Sequence, residues 1–345
     1  MKKLQWILVV IMLCCGGALT AQPNPPHYRL ANSISVPGDG FWDCLEADSS
    51  TGRLFLSHAM VVDVVDTKSG KLIGVIPDTK GVHGIALALD LNKGFISCGR
   101  DSSVAVFSLD SLRVTARVPV TGQNPDAILY EPSSHRVFVF NGRSANATVI
   151  DGTTDNVIGT IALGGKPEFS VADGKGTVFV NIEDKSMVDV IDVNTMKVKA
   201  EWPLAPGEGP TGIAMDAVTR RLFIACDNKM MIVMDADAGK VIANPPIGER
   251  VDGAAFDPVM KRAYSSNGDG TLTVVEEVDK DTFRVLENVV TQKGARTLAV
   301  DLKTHHIYLP TAEFGPAPEP TAERPRPRPT IVPGSFVLLD VEPVK

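Results

Sequence analysis

Residues 178–204 read VFVNIEDKSMVDVIDVNTMKVKAEWPL. An apolar strand opens on Phe179, a polar loop follows, a second alternating strand closes on Asp192, and a turn leads into a third strand. The same order recurs in residues 137–165, VFVFNGRSANATVIDGTTDNVIGTIALGG, and in residues 222–248, LFIACDNKMMIVMDADAGKVIANPPIG. A further short strand precedes each: DAILYEP, FSVADG and GIAMDA. Alternation of apolar and polar residues marks half-buried strands, so the repeating unit holds four of them.

The residue that ends the third strand of each unit sets the register: Asp66, Ser108, Asp151, Asp192, Asp235, Glu276 and Asp340, spaced by 42, 43, 41, 43, 41 and 64. A period near 40–45 residues with four strands per period is that of a β-propeller blade. An aromatic residue recurs at one place in the second strand, Phe55, Phe95, Phe138, Phe179, Phe223, Tyr264 and Tyr308, where it would pack between neighbouring sheets. The expected fold is all-β, a seven-bladed propeller. The final unit stops after its third strand, FVLLDV, and an orphan strand, HYRLANSISV, precedes the first unit. Pairing of this N-terminal strand into the last blade would close the ring and hide its edges.

The last interval is longer than the rest by about 22 residues, an insertion between the second and third strands of the final blade. Its sequence, AEFGPAPEPTAERPRPRPTIVPGS over residues 312–335, is too rich in proline for a central strand or a helix and favours extended backbone. It is expected to rise at one mouth of the channel, where Arg324, Arg326 and Arg328 would serve as a positively charged lid or as a surface for a partner.

The ends and the composition narrow the function. Residues 1–21 carry Lys2 and Lys3, then an apolar run, then small residues, the pattern of a secretory signal with cleavage near Ala21 or Gln22. Leu19 departs from the small-residue rule, so an uncleaved anchor is the alternative. The mature chain, residues 22–345, is expected to be one exported domain, periplasmic or extracellular, monomeric and without a membrane span. Loss of Lys2 and Lys3 takes the formal charge from −7 to −9, a balance that argues against broad nucleic-acid binding. Cys44, Cys98 and Cys226 remain; three buried thiols are expected, with a single disulfide the alternative.

Aligning the units places Asp43, His83, Asp126, Glu168, Thr211, Asp252 and Arg296 at one position at the start of the first strand. This polar ring would surround the channel mouth. Crowded carboxylates raise one another's pKa or call for a cation, so Asp43, Asp126, Glu168 and Asp252 are the candidate ligands of a divalent ion. His83 and Glu168 are the candidate acid–base residues, and Arg296 could grip a carboxylate or phosphate. A second set follows each aromatic by three residues and includes His58, Cys98, Asn141 and Cys226. His58 and Asn141 are therefore candidate ligand-binding residues, with loop capping as the alternative role. His135, His305 and His306 fall in turns at the opposite face, and Asp66, Asp151, Asp192 and Asp235 precede turns whose amides they would accept. The sequence has no GxSxG elbow and no CxxCH haem motif, and its glycine-rich pieces are not placed in βαβ units.

In the pattern of Phe179-Val180-Asn181 followed by Val190-Ile191-Asp192, the sequence resembles the YVTN-repeat, or YncE-like, seven-bladed propellers, over about His27 to Val341. The literal YVTN tetrad is absent. That group is functionally mixed: it includes extracytoplasmic proteins of unknown role and a member linked to DNA binding, and related propellers include lactonases and a streptogramin lyase. The resemblance thus implies a fold and leaves activity to the site. The primary reading is an exported binding protein or scaffold that engages a small polar ligand, a cation or a protein partner at one channel mouth. The alternative is a metal-assisted lactonase or lyase that uses the rim carboxylates and His83.

Overall fold

Strands with one face apolar and the other apolar or small must be covered on both sides, and the repeats achieve this by stacking sheet on sheet around a ring. The computed structural model describes residues 27–319, 321 and 329–344, and in it seven four-stranded antiparallel sheets form seven blades. Blade 1 runs through Trp42–Asp48, Arg53–His58, Val61–Asp66 and Lys71–Ile76, with neighbours in sequence also neighbours in the sheet. The first strands of the blades begin at Trp42, Val82, Pro125, Pro167, Pro210, Val251 and Ala299. Each touches the next around the ring, and the last touches the first. They are the inner wall of a central channel.

The recurring aromatic residue does what its position predicts. Phe55, Phe95, Phe138, Phe179, Phe223 and Tyr264 are wholly buried. Phe55 faces Phe107 of blade 2 with ring centroids 5.7 Å apart, and Phe223 stacks on Phe256 of blade 6 at 4.9 Å. Each buried ring contributes on the order of 2–3 kcal/mol of transfer free energy, so the blade interfaces are the hydrophobic core.

Closure follows the expected scheme. Tyr28–Ser35 pairs antiparallel with Val337–Pro343, the third strand of blade 7, with Tyr28 opposite Pro343 and Ser35 opposite Val337. The joint is reinforced from blade 6, where the Tyr28 and Tyr264 hydroxyls lie 2.8 Å apart and Arg262 donates to the Tyr28 hydroxyl at 2.8 Å. The insertion leaves blade 7 between its second and third strands, and Phe314 and Ile331 form a short antiparallel bridge at its base. Arg324, Arg326 and Arg328 lie outside the described residues. No helix among the described residues is long and apolar enough to cross a membrane.

The turn chemistry also agrees, except that His306 opens the second strand of blade 7, His306–Thr311, with its Nδ1 2.7 Å from Asp340. Asp66 accepts from the Ser69 amide at 2.7 Å, Asp192 from Thr195 at 2.7 Å, and Asp151 and Asp235 from two amides each. His135 and His305 stand in turns with positive φ of 54° and 63°, and each imidazole bonds an acidic neighbour, Asp90 and Asp257. Cys44, Cys98 and Cys226 are buried free thiols.

Candidate metal centre and channel mouth

All the ring residues but Arg296, which precedes its strand by three residues, stand second in their inner strands, where an irregularity in the ladder lets the strand mouth bend inward. The shift falls between Trp42 and Leu45, Val82 and Ile85, Pro125 and Ile128, Pro167 and Ser170, Pro210 and Ile213, and Val251 and Gly253, in blades 1 to 6. Such bulges re-aim a side chain without breaking the sheet. Here they turn Asp43, His83, Asp126 and Glu168 toward the axis, where they line a cavity of about 410 Å³ with Thr211, Asp252 and Arg296.

The ring backbone is fixed by side chains reaching across blades. Ser97 donates to the Asp126 carbonyl, Asn181 to the Thr211 carbonyl at 2.8 Å, Ser266 to the Arg296 carbonyl at 2.5 Å, and Thr297 to the Asp43 carbonyl at 2.7 Å. Gly84, next to His83, allows a close approach: a Cβ there would lie 2.9 Å from the Asp126 carbonyl oxygen. Small polar groups two residues after the aromatic marker, such as Ser97, Asn181 and Ser266, thus hold the ring rigid.

Three ring members converge. His83 Nδ1 is 2.7 Å from Asp43 Oδ2 and 3.6 Å from Asp126 Oδ1. One ligand atom from each of Asp43, His83 and Asp126 can be chosen so that all lie within 4.8 Å of one another, a set fit to hold a metal ion. Burial opposes protonation of His83, but its bond to Asp43 and the charge of Asp126 outweigh that and raise its pKa. Burial raises the Asp126 pKa; the His83 charge pulls it back and the Asp43 charge adds to the rise. Without a cation the cluster therefore favours bound protons, and a divalent ion would compete with them.

Glu168 stands on the next blade with a different partner. Lys166 reaches it at 2.7 Å and also bonds Glu183. Burial raises Glu168 to about 7; the Lys166 bond lowers it, and the Asp126 charge raises it. A carboxyl poised there can exchange protons at neutral pH. Arg296 bonds Asp252 and lies 3.6 Å from Asp43.

The structure does not bring every candidate to the ring. His58 is buried in its own blade, with Nδ1 2.9 Å from Asp63 and its ring 4.2 Å from that of Phe336. The three-residue offset places it between strand and insertion rather than over the axis. Asn141 is likewise buried and donates to Asn146 at 2.8 Å and Thr148 at 3.0 Å. Lys166, Arg250 and Asp227, which line the channel, were not signalled by the ring register. Lys166 and Arg250 sit two residues before Glu168 and Asp252, and the same offset read around the repeat would have found them.

No protein-family model matches the chain. It is similar to the uncharacterised protein YncE of Salmonella typhi, 28% identical over 150 residues that make up 41% of this chain and 42% of that protein. The YncE of Salmonella typhimurium is 27% identical over the same shares. The chain thus spans about two-fifths of the length of the curated relatives it matches. Among solved structures, U3-55K superposes with a TM-score of 0.73 at 10% identity, covering 92% of this chain and 98% of that one. Hydrazine synthase of Kuenenia stuttgartiensis gives 0.68 at 16%, covering 84% and 96%. At such identities the likeness is one of fold: the chain is a seven-bladed β-propeller.

Proposed function

We propose that this protein is a divalent-metal-dependent enzyme of the channel mouth, a lactonase-like hydrolase or a lyase. The observation that carries the reading is the convergence of Asp43, His83 and Asp126, whose ligand atoms come within 4.8 Å of one another. A bound divalent ion would polarise a carbonyl or acidify a water. Glu168, on the same cavity with a pKa near 7, would take up the proton released, and Lys166 would hold its carboxylate in place. Arg296 would face the negative charge that develops as a ring ester opens. On the strength of residues 1–21, we place this activity outside the cytoplasm.

The decisive experiment is metal analysis of purified protein, with thermal unfolding before and after passage over a chelating resin. Stoichiometric metal whose removal lowers the midpoint supports the reading, and a lactone panel then tests turnover. A second reading has its own observation. The 2.7 Å bond from His83 to Asp43 makes protonated His83 an internal cation that satisfies the carboxylates. Metal-free protein with an unchanged midpoint and no turnover would make the ring a binding mouth instead.

A further inference from the structure

A second cavity, of about 1100 Å³, opens beside the ring and shares Asp43, His83 and Arg296 with the channel. Its size suits a drug-sized molecule. The walls come from blades 1 to 3, and their chemistry differs from that of the acidic channel. Arg100 and Arg143 stand at one repeat position, five residues after the aromatic marker, on the hairpins between the second and third strands of blades 2 and 3. Both are exposed. Among the described residues neither guanidinium is held by a carboxylate, and Asp101, the acidic neighbour of Arg100, is turned toward Arg117 at 3.7 Å. In a chain of net charge −7, two such arginines on one cavity are a concentrated positive feature.

The same repeat position makes the mouth lopsided. It is Met60 in blade 1, arginine in blades 2 and 3, and Asp184, Asn228 and Asp269 in blades 4, 5 and 6. Met60 is 46% exposed and Trp42 is buried beside it, so the blade 1 side of the cavity offers an apolar surface. Methionine adapts to varied apolar shapes, and guanidinium groups bind carboxylate and phosphate with paired hydrogen bonds.

We infer that this cavity binds a small molecule bearing a carboxylate or phosphate on an apolar body, with Arg100 and Arg143 on its oxyanion and Met60 against its body. As the substrate class of the proposed enzyme the inference rests on that reading, with the reactive bond reaching the ring at Asp43 and His83. As a binding property it is measured without metal. The anionic end is drawn to Arg100 and Arg143 on blades 2 and 3 and away from Asp184 and Asp269 on the hairpins of blades 4 and 6, which favours one direction of entry.

The test is calorimetric titration of resin-stripped protein with three probes: 4-phenylbutyrate, phenyl phosphate and the neutral 4-phenylbutyramide. Binding of either oxyanion at least about tenfold tighter than the amide, and lost by at least about tenfold in an Arg100→Gln, Arg143→Gln double variant, is the expected result. The two anions compared show whether carboxylate or phosphate is preferred. Both arginines are exposed, so the variant should keep the parent's unfolding midpoint. Met60→Gln should weaken phenylbutyrate and leave inorganic phosphate, titrated as a fourth probe, unchanged. Equal affinity for the amide, unchanged binding in the double variant, or no binding of either anion overturns the inference. Because metal is absent throughout, these outcomes are independent of whether the ring holds a cation.

Discussion

His83 is held between two carboxylates, and what it carries depends on pH. His83, Asp126 and Glu168 all hold protons more readily in the folded protein than as free side chains, Glu168 from 4.5 up to about 7. The folded state therefore binds more protons than the unfolded one over that window, and their contribution to stability falls as pH rises through it. Stripped protein should lose midpoint between pH 4.5 and 7, and added divalent ion should restore more at pH 7 than at pH 5. Scanning calorimetry at both pH values, with and without metal, checks this; Asp126→Asn should abolish the metal-dependent part. Glu168→Gln keeps the shape but cannot accept a proton. If the chain is the enzyme proposed, kcat should fall by about 10²–10⁴ with metal content unchanged.

At the scale of the strand, the site depends on how closely inner strands approach. Gly84 has no Cβ, and Ala there would meet the Asp126 carbonyl oxygen at 2.9 Å and the Ile128 side chain at 2.9 Å. The Gly84→Ala change should cost about 1–3 kcal/mol and separate His83 from Asp126. Denaturant unfolding would read the first effect, and weakened metal binding the second. How legible the site was follows the same scale. The ring register was readable because every member but Arg296 is second in a repeated strand. Asp43, His83 and Asp126 could be named together, but their convergence was not readable, because it needs strand bulges that leave no mark in the repeat and a glycine found at that position in only three blades. His58 shows the limit. Its offset from Phe55 was clear, yet whether it meets the axis or Phe336 depends on an insertion found in one blade only. The clips from Ser97, Asn181 and Ser266 went unnoticed because their repeat position is filled by Phe140 and Ala225 in blades 3 and 5.

For the whole molecule, the fold was almost entirely legible. Seven spaced aromatics, seven strand ends and one orphan strand determined blade number, strand order and closure before any contact was known. The proline insertion was placed in the right loop, and the structure adds its anchor: Phe314 against Trp42 at 5.9 Å, with Phe336 against Trp42 at 5.2 Å. The floor of the insertion is thus welded to the blade 1 wall of the cavity, so changes at Trp42 should alter both. A Trp42→Ala variant should lower the unfolding midpoint and raise the rate at which a protease cuts the insertion, measured by limited digestion.

The closing strand has a mechanical consequence. Tyr28 lies opposite Pro343, so a load applied at residues 27 and 344 would enter the closing seam at the same end. It would act across the ladder, parallel to its hydrogen bonds, and meet them one after another instead of all together. Such a seam unzips. The ring should therefore open at low force when held at residues 27 and 344, and resist far more when pulled between two blades away from that seam.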